Sequence, residues 1–437
     1  MDKHPLIQQY LSSVCMQIRA RELHKEIRQE MAVHLEELVG CKREEGADEE
    51  TAVRWALEQM GDPETVGAGL NRVHKPRIAW GLIGGLAALL IISLVAMYAV
   101  GLSYAAVPNG PFNGYHFLQN KMVFTLLGLG VAAVLVFFDY RKLRAYSLMI
   151  YTGAVLVTFL TMAYGHQVNG VRGYLYIAGF GMDWTTVSVF VFILCAAGMM
   201  LDKEKSLKAW CVQQLLFVAV PAGLYLGANS FSSLFLYTSA YLILSYYIRR
   251  SWKELIPVVS SGALILLSFL FSKHYAMERL TAFLDRGSDP LGAGYMYIRV
   301  DEAVRSAGWW GHGFAAVNTR LPLIHTDTLF TYLIYSLGWL AGGAIVLCIV
   351  LLLVQMVSIV LEVKDPYGKG LVAGLAALFA VQFVWSIGMS VGMLPIMGIS
   401  LPLIGYGGSQ LLIHMAALGL MLSVYRRKDM VRVPARR

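Results

Sequence analysis

The stretch Arg286-Gly287-Ser288-Asp289-Pro290-Leu291-Gly292-Ala293-Gly294-Tyr295, carried on to His325-Thr326-Asp327, decides how the rest of the chain is read. It opens the only long polar interval in the apolar part of the sequence. The interval holds Asp285, Arg286, Asp289, Arg299, Asp301, Glu302, Arg305, His312, Arg320, His325 and Asp327. After Asp327 it gives way to hydrocarbon-like sequence. Ionisable groups at a membrane edge are costly unless they bind something or pair with one another. The interval therefore reads as a loop that a membrane-embedded scaffold presents to a lipid-borne substrate.

The composition around it is that of an integral membrane protein. Of 437 residues, 57% are hydrophobic and 15% charged, and the mean hydropathy is +0.58, whereas soluble domains hold about 45–50% apolar and about 25% charged residues. Candidate spans near the roughly 20 residues of a bilayer crossing centre on 78–101, 122–138, 145–164, 184–201, 209–227, 230–248, 255–272, 328–358, 371–391 and 401–424. The eighth is too long for one perpendicular crossing, so a break is expected at Gly338 or at Gly342-Gly343. The net charge of +8 does not point to nucleic acid, because Lys and Arg collect in alternate loops. Those loops are Arg141–Arg144, Lys203–Lys208, Arg249–Lys253, Lys364–Lys369 and the tail from Arg426, with Lys121 and Arg172 as exceptions. By the positive-inside rule both termini are cytoplasmic and the Arg286–Asp327 loop is extracytoplasmic. The five cysteines lack CxxC spacing, which indicates neither a disulfide framework nor a zinc site.

Residues 1–76 are polar and helical rather than an apolar leader. Apolar positions recur at helical spacing in Leu6, Tyr10, Val14, Ile18 and in Ile27, Met31, Leu35, Leu38. A third helix from Glu49 to Met60 stops at Gly61, with Pro63 beyond it. The fold class is therefore all-α: a polytopic membrane protein of about ten transmembrane helices, preceded by a small soluble three-helix domain. The organisation expected is a regulatory prefix over 1–76, a membrane domain over 77–428 with a large loop at 273–327, and a basic tail over 429–437.

Three places carry chemistry. In Asp289–Tyr295 the turn residues Gly292 and Gly294 permit positive φ and close approach of backbone to a ligand. Asp327 sits at the water–hydrocarbon boundary, where partial desolvation suits a carboxylate to act as a general base toward a hydroxyl. The alternative is that Asp327 caps the span it precedes. In Ile387–Ser409, Pro395, Pro402 and the Tyr406-Gly407-Gly408-Ser409 turn imply broken helices at membrane depth. The glycines beside Ser409 either offer backbone donors to an anion such as phosphate or serve close helix packing.

The sequences DPLGAGY (289–295), GHG (311–313), HTD followed by Phe330 (325–330), IGMSVGMLPIMGISLPLIGYGGS (387–409) and ALGLMLSVYRR (417–427) resemble the SEDS family of bacterial shape, elongation, division and sporulation proteins. The similarity covers most of residues 78–428. It implies a peptidoglycan glycosyltransferase of the bacterial cytoplasmic membrane that polymerises lipid II beside a class B penicillin-binding protein. Asp327 then corresponds to the family's catalytic base. Arg286, Arg299 or a divalent ion (Mg2+ or Mn2+) balances the pyrophosphate leaving group, and no organic cofactor is implied. The expected substrate-binding set is Arg172, Arg286, Asp289, Tyr295, Arg299, His325, Thr326, Tyr406 and Ser409.

The chain departs from the family pattern at several positions. Asn169-Gly170-Val171-Arg172 keeps the family's Asn, Gly and Arg, but Gly181–Thr186 lacks its Pro-Ser-Glu. Tyr335-Ser336 replaces a Glu-Glu pair, and Arg299 stands where a Gln is usual. A flippase or transporter of a lipid-linked precursor, or a non-catalytic cell-wall scaffold, is the alternative that these departures leave open.

Overall fold

The computed structural model describes residues 4–19, 24–73, 75–107, 114–168, 170–177, 180–200, 207–250, 259, 277, 281–287 and 289–430. The chain divides into two compact units, one of Met1–Ile78 with Tyr425–Arg437 and one of Ala79–Val424.

The first unit is helical: α1 (Pro5–Met16), α2 (His24–Glu44), α3 (Glu49–Met60) and α4 (Pro63–Val73). Its core joins Leu11, Val14, Leu35, Val39, Ala52 and Ala56. The fourth helix adds to the three expected, because Pro63 starts a helix rather than only ending one. Asp62 accepts the Thr65 N–H at 2.8 Å, and Pro63 occupies the first turn, where a missing N–H costs nothing. Residues beyond the last span return to this unit. Met430 is buried in its core, and Arg77 pairs with Asp429 at 3.1 Å.

The second unit makes the chain a multi-pass membrane protein. Among the described residues, eight helices are long and apolar enough to cross a bilayer. They are α5 (Trp80–Ala105), α6 (His116–Phe137), α8 (Ser147–Tyr164), the run Lys208–Gly227, α12 (Phe231–Arg249), α13 (Leu329–Glu362), α14 (Pro366–Ser390) and α15 (Gly408–Arg426). A short basic helix, α7 (Arg141–Ala145), precedes α8. The apolar helix α9 (Trp184–Met199) is shorter than the eight, and the expected span at 255–272 lies outside the described residues. The run Lys208–Gly227 comprises α10 (Leu207–Gln214), a π-turn (Leu215–Ala219) and α11 (Val220–Gly227). The π-turn directs carbonyls out of the helical ladder, and tyrosines take them up: Tyr237 donates to Phe217 O at 2.7 Å and Tyr151 to Leu216 O. The centre of the unit is α14, which packs against α9, α12 and α13.

One non-helical element was not expected. Strands β1 (His166–Val168), β2 (Val171–Ile177) and β3 (Phe180–Asp183) form an antiparallel meander between α8 and α9. In β2, Tyr174 pairs with His166 and with Asp183. Asp183 then caps α9, accepting Thr185 N at 3.0 Å and Thr186 N at 3.3 Å as well as both threonine hydroxyls. This carboxylate, in the segment that lacks Pro-Ser-Glu, thus closes a helix start.

The break in the long eighth span falls at Gly338, with φ 84 and ψ 173. Side chains are excluded from that region of backbone space, so glycine is required. Residues 308–313 run alongside and take up the freed backbone groups. His312 N donates to Tyr335 O and Gly313 N to Ser336 O, both at 3.0 Å. Trp339 N donates to Gly308 O at 3.1 Å and Leu340 N to Trp309 O at 3.3 Å. The His312 ring stacks on Tyr335. The half-helix before the break, beginning at Leu329, is buried from Leu329 to Ile334.

Candidate active site

Asp327 lies half-buried, two residues ahead of the half-helix of α13. The capping alternative does not describe its position. Thr328 occupies the N-cap and its carbonyl accepts Tyr332 N at 2.9 Å. The Asp327 carboxylate faces the turn around Gly398, where a Cβ would stand 3.9 Å from Oδ2. Tyr174 of β2 lies within electrostatic range of the same carboxylate. Burial first, and then the charges of Asp183 and Asp327, push the Tyr174 hydroxyl pKa up, so it stays protonated.

His325 and Tyr406 bind this corner together. Tyr406 N donates to His325 O at 2.9 Å, and the two rings meet edge to face. The His325 ring bonds Tyr104 Oη at 3.2 Å through Nδ1 and packs on Phe117. Burial lowers the His325 pKa, so the ring is neutral at pH 7. The Tyr406 hydroxyl accepts from Asn120 Nδ2 at 2.9 Å. Thr326 turns through its N–H to Leu323 O at 3.0 Å. Tyr104, Phe117 and Asn120 thereby place the end of α5 and the start of α6 at the Asp327 end of the bundle.

The remaining expected residues divide. Arg172 is exposed and, among the described residues, has no ion-pair partner; its N–H donates to Ala228 O at 2.9 Å. Alternation along β2 puts it on the same strand face as Tyr174. Arg286 donates to Gly392 O at 2.6 Å and lies 3.8 Å from Asp301, which also pairs with Arg305 at 2.8 Å. Arg299 pairs with Glu302 at 2.6 Å and covers the Tyr295 ring at 4.9 Å. Asp289 accepts Gly292 N at 3.0 Å and Ala293 N at 2.9 Å, and Tyr295 donates to Arg320 O at 3.1 Å. These four side chains build the loop and the helix that follows it, Tyr295–Ser306. That helix packs on the broken segment, where Tyr297 Oη accepts Ile396 N at 3.0 Å. Ser409 lies in the first turn of α15, and a Cβ on the neighbouring Gly408 would meet Phe124 at 2.3 Å. Close packing therefore requires that glycine.

Residues not assigned to the site from the sequence complete the corner: Tyr104, Asn120, Lys121, Tyr174 and Gly398. Of these, Lys121 carried a signal, being a lone cation inside an apolar span. Among the described residues no three His, Cys, Asp or Glu side chains converge as a metal site.

A sequence profile described as cell cycle protein (FtsW, RodA, SpoVE) matches residues 80–430. The probable peptidoglycan glycosyltransferase FtsW of Trichlorobacter lovleyi is 25% identical over 348 residues, covering 77% of this chain and 90% of that protein. Stage V sporulation protein E of Bacillus subtilis is 25% identical, covering 77% and 94%. Among solved structures, a chain from a study of polymerization and crosslinking by a peptidoglycan synthase complex aligns with a TM-score of 0.68 at 22% identity, covering 80% of this chain and 98% of that one. The crystal structure of Thermus thermophilus rod shape determining protein RodA aligns with a TM-score of 0.58 at 21% identity, covering 80% and 97%.

Proposed function

We propose that this chain, which belongs to the FtsW, RodA and SpoVE family of cell cycle proteins, is a peptidoglycan glycosyltransferase that polymerises lipid II for cell shape, division or sporulation. The observation that carries the reading is the half-buried Asp327 carboxylate, ahead of the half-helix broken at Gly338, set against Gly398 in the non-helical stretch 391–407. Asp327 accepts the proton of the acceptor sugar's 4-hydroxyl, whose oxygen attacks the donor's anomeric carbon. The bond from that carbon to the pyrophosphate oxygen breaks, and undecaprenyl pyrophosphate leaves. Gly398 lacks a side chain where the acceptor hydroxyl must approach the carboxylate. Arg172 supplies positive charge for the developing pyrophosphate, while Arg286 and Arg299 hold the loop through their protein partners. Asp327 and the substrate's own phosphates would hold a magnesium or manganese ion here, and the ion would supply positive charge for the pyrophosphate leaving group.

The Asp327 corner faces the outside of the cell, and both termini face the cytoplasm. The partner is a class B penicillin-binding protein, in keeping with a neighbour whose study couples polymerization to crosslinking. The test is polymerisation of purified lipid II by wild type and Asp327→Asn, with and without the divalent ion. Loss of a general base predicts a fall of about 10²–10⁴-fold, or about 3–5 kcal/mol. A folded Asp327→Asn protein that polymerises within threefold of wild type refutes the assignment.

A further inference from the structure

Lys121 lies inside α6 with 2% of its surface exposed, and among the described residues it forms no ion pair. Its Nζ donates instead to three consecutive carbonyls: Leu403 at 2.9 Å, Ile404 at 3.4 Å and Gly405 at 2.7 Å. These follow Pro402 in the non-helical stretch 391–407, where Leu403 takes a φ of 66°. Carbonyls freed at membrane depth have no water to bind, and an ammonium brings three donors. Ser93 Oγ adds a bond of 3.0 Å to Ile404 O.

The gripped turn is continuous with the site. Gly398, four residues before Pro402, faces Asp327 Oδ2. Tyr406, next after the gripped carbonyls, binds His325 O through its N–H and Asn120 through its hydroxyl. Asn120 and Lys121 are neighbours on α6, so one edge of this helix holds the segment that forms a wall of the Asp327 corner. Filling the space alone would call for an apolar side chain, since a buried charge in a span is costly.

We infer that Lys121 is a positioning residue for glycosyl transfer, acting through the 403–405 carbonyls to hold Gly398 and Tyr406 in register with Asp327 and His325. It touches no reacting atom. The inference rests on the polymerase reading, so its test has a readout independent of polymerisation.

Full-length wild type, Lys121→Met and Lys121→Arg are purified in detergent, and hydrogen–deuterium exchange is followed in peptides covering 399–407. Loss of the charged bonds speeds exchange there about tenfold in Lys121→Met, with the other spans unchanged. With lipid II, kcat per folded molecule falls about 100-fold, the scale of a small misplacement of reacting groups, while KM stays within about threefold. Lys121→Arg, which keeps the donors, recovers most of both. A merely stabilising lysine would lower the melting temperature and leave kcat per folded molecule and local exchange unchanged; that result overturns the inference. If Lys121→Met does not fold, Ser93→Ala carries the test, since it removes one bond to the same turn. Unaltered exchange and kcat in folded Ser93→Ala would then overturn the inference as well, whereas faster local exchange with a lowered kcat in Ser93→Ala supports it. Wild type without polymerase activity would defeat the polymerase reading, and the exchange result would still decide whether Lys121 holds the turn.

Discussion

Gly338→Ala tests the account of the broken eighth span most directly. At φ 84 and ψ 173 a Cβ would stand 2.2 Å from Trp309 O, so alanine cannot enter the observed backbone. The chain must hold a strained conformation, costing about 1–3 kcal/mol, or straighten into a continuous helix. Straightening gives up four backbone bonds to residues 308–313, each worth about 0.5–1.5 kcal/mol net. Strain at about 1–3 kcal/mol and four bonds at about 2–6 kcal/mol together make a loss of about 3 kcal/mol the scale expected of either route. Gly343→Ala, five residues on in the same helix, is the control. Nothing lies within 4 Å of a Cβ there, and alanine should favour the helix by about 0.5–1 kcal/mol. Thermal unfolding in detergent, read by tryptophan fluorescence, should separate the two variants by about 8 °C, at about 2 °C per kcal/mol for a chain of this size. Gly338→Ala should also synthesise less glycan, because the half-helix it disturbs begins two residues after Asp327. Equal melting temperatures and equal synthesis in the two variants would refute the reasoning.

Two further expectations concern His325 and the first unit. Burial holds the folded-state pKa of His325 below its ordinary value of 6.5, so the unfolded chain takes up the proton first as pH falls. Stability present above pH 6.5 is then lost on acidification until the lowered folded pKa is reached, at about 1.4 kcal/mol per pH unit. Between pH 7.5 and 5 the wild-type melting temperature should fall further than that of His325→Gln; parallel curves would remove burial as the cause. Deleting residues 1–74 should leave polymerisation in vitro largely intact, because none of the candidate site residues lies in that segment of the sequence. Total loss from a folded, correctly inserted truncation would make the unit part of the enzyme rather than its regulator.

Hydropathy made the spans legible, since each helix must bring its own backbone bonds into the bilayer. The excess length of the eighth span and the prolines of 387–409 likewise exposed both breaks before any contact was known. Shorter-range features escaped. The dipeptide Asn169-Gly170 between β-forming residues is a strong hairpin signal, yet an otherwise helical chain hid it. Gly61-Asp62-Pro63 reads equally as the stop of one helix and the start of another, and only the Asp62–Thr65 bond decides. The arginines show a deeper limit. Sequence marks Arg286 and Arg299 alike as cations of one loop, but Arg286 donates to Gly392, more than a hundred residues on, whereas Arg299 pairs with Glu302 three residues away.

The two breaks also explain why the corner stands at the edge of the bundle rather than in a loose loop. A continuous eighth span would satisfy its own carbonyls and would have no need of residues 308–313 beside it. Broken at Gly338, it recruits that turn segment, and the buried half-helix from Leu329 to Ile334 fixes the chain just after Asp327. The second break, the non-helical stretch 391–407 between α14 and α15, leaves carbonyls that Lys121 and Ser93 take up, and it delivers Tyr406 to His325. Each break is therefore held by a partner from a different part of the chain. On the proposed function, the geometry of the Asp327 corner depends on those partners as much as on the HTD residues themselves. Substitutions that leave Asp327 intact but release either break should then reduce the rate of transfer more than they reduce substrate binding.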